Sequence, residues 1–295
     1  AEDVIRDKRI GLVGSEMCIR DRHNLFCVII SAHTFASTLM TGKIILAIGM
    51  PRAGSGWHYN LVHDLIVAAG GQDARKIRQQ YRLGRILTEV NCNIGALTTQ
   101  RILPVTIPAI LGNSFVIKAH AGPKPLAMRM IHSGLIQPTY IYRDPRDALL
   151  SAHEYGQRKR AVGRQGPFAD LENIETAINF MREYVQISEA WLACDLSLNL
   201  RYEELLSDYD AQVDRLIKFF GLGDEISILQ PIIDQYRPDQ GSSQQKGTHF
   251  VKGKIGRYRQ KLTKQQQQLC LEAFGDYLER MGYPIDQEIE NDSES

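Results

Sequence analysis

The sequence predicts an α/β fold: a single domain with a central parallel sheet flanked by helices. Three observations predict it. Short β-branched apolar runs alternate with longer stretches of helical periodicity. The first such run ends in a glycine-rich turn that opens directly into a helical stretch. The 295 residues are 43% hydrophobic and 23% charged, with no internal repeat, so one large core can form without staples.

The elements follow in order. Residues 43–49 (KIILAIG) are a short apolar run stopped by glycine, the pattern of a buried strand. Trp57, Leu61, Leu65 and Ile66 give residues 57–69 a helical stripe that ends at Gly70-Gly71. Residues 74–90 read as a basic helix, 114–120 (SFVIKAH) as a second strand and 139–143 (TYIYR) as a third. Asp144-Pro145 is a helix start, Asp as cap and Pro in the first helical position, for a helix to about residue 160. Residues 163–168 read as a loop, 171–192 as a long helix, 196–202 as a fourth strand and 203–220 as a helix closed by Gly221. A polar, glycine-containing loop is expected over 238–256 and a last helix over 263–281.

Both ends stand apart. Residues 1–22 carry five acidic and five basic residues, and the sixteen residues 25–40 are mostly apolar. A signal or anchor is the less favoured reading, because a span needs about twenty apolar residues and His33 interrupts this one. The stretch 11–22 resembles translated sequencing-adapter text, which would place the native start at Met40. Residues 1–39 are therefore expected to be a non-native or disordered extension, 40–285 the domain and 286–295 an acidic tail. A cytoplasmic location follows.

Formal charge is +1, from 35 basic and 34 acidic residues, which excludes a globally basic nucleic-acid binder and predicts no nucleic-acid or membrane partner. The tail holds five of the acids, so the body is modestly basic and suited to small anions. Five scattered cysteines without Cys-x-x-Cys, and eight histidines without His-Glu-x-x-His, argue against a disulfide framework and predict no metal.

Ligands of such sheets bind at the carboxyl ends of the strands, and each chemical motif falls at one. Gly49-Met-Pro-Arg52-Ala53-Gly54-Ser55-Gly56-Trp57 joins a strand to a helix, where loop amides and the helix N-terminus favour an anion. Its glycine spacing matches half of a nucleoside-triphosphate loop. The Lys and Ser/Thr that should follow the last glycine are replaced by Ser55 and Gly56, which disfavours a magnesium-dependent kinase.

Residues 51–57 resemble the 5′-phosphosulfate loop of the sulfotransferases, Pro-Lys-Ser-Gly-Thr-Thr-Trp. The resemblance puts Arg52 at the cationic position and Trp57 against adenine; Arg52, Ala53 and Gly56 depart from the pattern. Tyr142 to Ser151 resembles the family's 3′-phosphate motif, with Arg143 and Ser151 as the phosphate contacts. His249 to Tyr258 resembles the C-terminal glycine motif, in which Lys252 and the Gly253 amide close over that phosphate; Val251 and Tyr258 are departures. Leu200 to Leu206 matches the strand-to-helix junction where Tyr202 flanks adenine.

The resemblance implies a P-loop-like sulfotransferase fold over about residues 43–284. It also implies 3′-phosphoadenosine 5′-phosphosulfate (PAPS) as donor, adenosine 3′,5′-bisphosphate (PAP) as product, and a small-molecule or carbohydrate acceptor with a hydroxyl or amine. Lys118 and His120, two apart on one strand, leave it on the same face. In the family the histidine at this strand end is the base, so His120 is the expected base, with Arg52 and Lys118 stabilising charge. A nucleotide kinase-like phosphotransferase and a non-catalytic nucleotide binder remain alternatives. His153 is the reserve base. Arg75, Arg78, Arg82 and Arg85 read as a solvated helix face or an attractor for an anionic acceptor. His58, His63 and His132 read as structural.

Overall fold

The computed structural model describes residues 42–238 and 253–285. Four parallel strands form the sheet in the order β2-β1-β3-β4: β1 Ile44–Gly49, β2 Phe115–Ala119, β3 Ile136–Tyr142 and β4 Leu198–Arg201. The register sets Ala47 opposite both Lys118 and Thr139, and Gly49 opposite Ile141. β1 is buried throughout, as a central strand covered on both faces must be.

Alternation along β1 divides the core. Ile44, Leu46 and Ile48 join the cluster formed with α5 (Pro145–Ala161), α6 (Ile174–Leu192) and α11 (Lys264–Arg280). Ile45 and Ala47 join the other, with α1 (Ser55–Ala68), α8 (Tyr209–Phe220) and α9 (Ile226–Gln235). Asp144 caps α5 by accepting from the Arg146 amide at 2.9 Å, and Pro145 occupies the first turn. Thr263 and Gln266 cap α11 reciprocally.

The expected basic helix over 74–90 is shorter. α2 spans Ala74–Gln80, and Arg82, at φ 54, breaks it before a 3₁₀ turn at Leu83–Arg85. α3 (Thr99–Ile110), for which the sequence reading assigned no element, has Pro104 and Pro108 inside it. Burial of Ile102, Val105 and Ala109 holds it nevertheless. α4 (Pro125–His132) was likewise not predicted, nor was α9. The helix expected over 203–220 is two, α7 (Tyr202–Ser207) and α8, divided at Asp208. A short α10 (Tyr258–Lys261) follows the C-terminal glycine loop. The expected extension, the acidic tail and Lys252 lie outside the described residues.

Candidate functional site

The loop between β1 and α1 is wound by two left-handed residues, Arg52 at φ 67 and Gly54 at φ 76. Glycine is required at 54, since a Cβ there would lie 2.7 Å from the Tyr202 ring. Arg52 has no such freedom, and a left-handed non-glycine residue costs roughly 1–2 kcal/mol. Its contacts hold it. Nε donates to Ser151 Oγ at 3.2 Å, the guanidinium lies 4.8 Å from the Tyr155 ring centroid, and the Arg52 carbonyl lies 3.4 Å from Arg143 Nη1. α1 begins at Ser55 with no side-chain cap, leaving its first-turn amides as donors, while the Ala53 amide donates to the Met50 carbonyl at 3.2 Å.

Lys118 leaves β2 beside this loop, 6% exposed. No carboxylate or hydrogen-bond acceptor among the described residues pairs with its ammonium. Burial, and then the nearby Arg52 cation, bring its pKa down to about 8. Burial also lowers Arg52 to about 10, with Arg158 and Arg143 adding repulsion and Tyr155 opposing it. A buried, unpaired cation beside a second, half-buried one that repels it forms a site for an anion.

His120 Nδ1 lies 2.6 Å from the Gly49 carbonyl. A carbonyl only accepts, so Nδ1 carries the proton and Nε2 the lone pair. Burial and the Lys118 charge lower this histidine to about 3, although its bond to Gly49 favours the cation. His120 is therefore neutral at pH 7, its tautomer set by the first strand.

On the other side of the loop, Arg143 Nη2 donates to Asp147 Oδ2 at 3.2 Å and to the Lys254 carbonyl at 2.9 Å. Its guanidinium lies 4.4 Å from the Tyr202 ring centroid, and its Nε is buried without a partner. Asp147, which the sequence reading gave no role, also accepts the Gly256 amide at 2.7 Å and the Tyr258 amide at 3.0 Å. It fastens the C-terminal glycine loop to Arg143. Its position in the first turn of α5, four residues after Arg143, was the available signal. Gly253, at φ 53, begins the described part of that loop. Ser151 and Arg143 are linked through Arg52 rather than directly.

Trp57 is 2% exposed. One ring face stacks on Tyr209 (6.0 Å between centroids), its edge meets Tyr202, and Nε1 donates to the Tyr236 carbonyl at 2.9 Å. Tyr202 lies between this aromatic base and Arg143.

The profile of the sulfotransferase domain family matches residues 43–282. The chain belongs to that family. The described structure has the family's P-loop-like α/β fold. A mouse sulfotransferase complexed with PAP is similar in structure: TM-score 0.54 at 15% identity, covering 83% of this chain and 89% of that one. A retinol dehydratase complexed with androsterone and PAP has a TM-score of 0.49 at 17% identity, covering 84% of each chain. No curated protein sequence matches the chain.

The other described histidines of this sulfotransferase-family chain are engaged with neighbouring groups of the fold. His58 is fully buried, bonds Thr139 Oγ1 at 3.0 Å, and is lowered to about 3 by burial and then Lys118. His63 lies between Asp64 and Asp73, and His132 bonds the Met128 carbonyl one turn back. His153, the expected reserve base, has both ring nitrogens engaged: Nδ1 donates to the Leu171 carbonyl at 3.0 Å, and Nε2 accepts from Gln157. Arg75 and Arg78 donate to the Val90 and Leu87 carbonyls and so brace the loop after α2, while Arg82 and Arg85 are exposed. Among the described residues no group of His, Cys, Asp or Glu is placed to hold a metal ion, and no helix is long and apolar enough to cross a membrane.

Proposed function

We propose that this protein moves a sulfuryl group from PAPS to a hydroxyl or amine of a small-molecule or carbohydrate acceptor, with His120 as the base. The observation that carries this is the trio at the end of β2: unpaired, buried Lys118, the Arg52 cation beside it, and a neutral histidine with a fixed tautomer.

The residues present suit the donor. Its 5′-phosphosulfate would be held by the 52–57 loop, including the Ala53, Gly54, Ser55 and Gly56 backbone, with Arg52 and Lys118. Its 3′-phosphate would be held by Arg143, Ser151, Lys252 and the Gly253 amide. The orphaned Arg143 Nε supports the second assignment, since a buried unsatisfied donor calls for an acceptor. Tyr202, supported from beneath by Trp57, offers the adenine a ring. When bound, the nucleotide supplies the sulfuryl group and leaves as PAP.

The chain's own residues then account for the proton and the charge. His120 Nε2 takes the proton from the acceptor as that oxygen or nitrogen bonds to sulfur. Lys118 and Arg52 hold the charge that grows on the bridging oxygen as its bond to sulfur breaks. Negative charge beside Lys118 offsets one of the two causes that lower His120, which makes the histidine a better base in the complex. A kinase would require Lys and Ser/Thr where Ser55 and Gly56 stand. Calorimetry with PAP and 5′-AMP, followed by transfer from labelled PAPS to a panel of acceptors, tests the reading. Binding of PAP and magnesium-independent transfer are expected; failure to bind PAP would overturn it.

A further inference from the structure

The face of α5 that starts in the nucleotide site does not end there. Ser151, Tyr155, Arg158 and Lys159 follow at helical spacing along one side. Arg52, Arg158 and Lys159 converge on the Tyr155 ring, at 4.8, 5.8 and 5.4 Å from its centroid. Arg158 and Lys159 have no carboxylate partner among the described residues. Glu154, their neighbour in sequence, is taken by Arg257 at 2.5 Å.

A solvated helix face explains one exposed arginine. It does not explain three cations gathered on one ring, where each repels the others. Arg158 is among the charges that lower Arg52. The donor's anionic groups account for Arg52 and Lys118. Arg158 lies seven residues beyond Ser151, about 10 Å along the helix axis, and the contacts assigned to the donor leave it unused.

The surrounding wall is built and fixed. The loop between α5 and α6 crosses the helix at Gly156, where any Cβ would come 2.0 Å from the Phe168 carbonyl oxygen. Arg160 holds that loop through the Ala169 and Leu171 carbonyls, at 2.7 and 3.0 Å. The crossing sets Phe168 edge-on to Tyr155 at 5.4 Å, with Phe180 behind it at 5.7 Å. Apolar rings therefore stand next to the spare cations.

Resting on the sulfuryl-transfer reading above, we propose that the acceptor is itself an anion: a hydroxyl compound carrying a carboxylate or sulfate, held by Arg158 and Lys159 over the Tyr155 ring. Its hydroxyl gives its proton to His120 and receives the sulfuryl group, while the anionic group stays bound to the helix. The cations supply charge-assisted hydrogen bonds, and Phe168 offers its ring to the body of the molecule.

Two matched pairs test this and separate the sources of such an acceptor: 4-hydroxybenzoate against 4-hydroxybenzamide, and glucuronate against glucose. In at least one pair the acid should be sulfated with kcat/KM about tenfold above its neutral partner, the size of a charged hydrogen bond. The double variant Arg158→Glu/Lys159→Glu should remove that preference. PAP affinity, measured on the same variant, should change by less than the acid preference does, because neither side chain is hydrogen-bonded to Arg52 and only charge reaches it. Neutral partners equal to the acids in both pairs, or a preference that survives the charge reversal, would overturn the proposal. So would transfer to neither acid by protein that binds PAP, with the nucleotide reading left standing. Failure of the unaltered protein to bind PAP would overturn that reading instead, and this proposal with it.

Discussion

Asp147 accepts the Gly256 amide at 2.7 Å across a separation of 109 residues. The same carboxylate oxygen lies 3.2 Å from Arg143. One fully buried carboxylate therefore ties Arg143, the proposed 3′-phosphate contact, to the C-terminal glycine loop. Removing one partner of a buried pair leaves the other charge uncompensated, at a cost of roughly 3–5 kcal/mol. Asp147→Ala should lose about that much stability in urea titration and should also weaken PAP binding. Asp147→Asn, which keeps one acceptor oxygen, should be intermediate in both.

The 3′-site itself is tested by discrimination. Arg143→Ala should lower the preference for PAP over 5′-AMP by at least about tenfold, since a hydrogen bond to a charged group contributes roughly 1.5–3 kcal/mol. Calorimetry with both nucleotides on both proteins measures it. An unchanged ratio would place the 3′-phosphate elsewhere.

Lys118 predicts a trade of stability against function. Its folded pKa of about 8 lies below the ordinary 10.5, so between those values the unfolded chain binds the extra proton. Stability attributable to this group thus rises with pH from about 8 to 10.5, and its full cost is present below pH 8. Lys118→Met should raise the thermal midpoint at pH 7, by up to about 3 kcal/mol of stability. The gain should shrink as pH rises from about 8 and be gone above 10.5. The same variant should weaken PAP binding and turnover together, as paired melting and binding curves would show.

Gly54 is where backbone conformation and packing make the same demand. At φ 76, with the Tyr202 ring 2.7 Å from any Cβ, Gly54→Ala must displace the ring or the loop. Loss of measurable PAP binding with retained helical circular dichroism is expected. Unaltered affinity would show that the loop does not carry the 5′ group.

What could be read from the sequence was what the chain writes locally. The first strand, its glycine turn, the Asp144-Pro145 start and the placement of Lys118 with His120 each depend on neighbours within a few residues. Asp147 was not legible in the same way, because Gly256 and Tyr258, which give it a role, lie more than a hundred residues on. Trp57 and Tyr202 were each expected beside adenine, but the stacking of Trp57 on Tyr209 and its bond to the Tyr236 carbonyl depend on how α8 and α9 pack. His153 looked available from spacing alone, and only the loop folded over α5 reveals that both its nitrogens are used. α3 carries two prolines and is sustained by tertiary burial, which no local pattern records.

In the proposed reaction His120 takes the acceptor proton while other residues hold the nucleotide. The most direct measurement is paired: PAP affinity by calorimetry and sulfuryl transfer from PAPS, on the unaltered protein and on His120→Ala. Turnover should fall by roughly 10²–10⁴-fold, the usual size of a general-base contribution. The PAP dissociation constant should hardly move, because no proposed phosphate contact is lost. A His120→Ala protein that transfers at a near-normal rate would contradict the account, and with His153 already engaged on both ring nitrogens, the base would have to be sought outside the histidines described here.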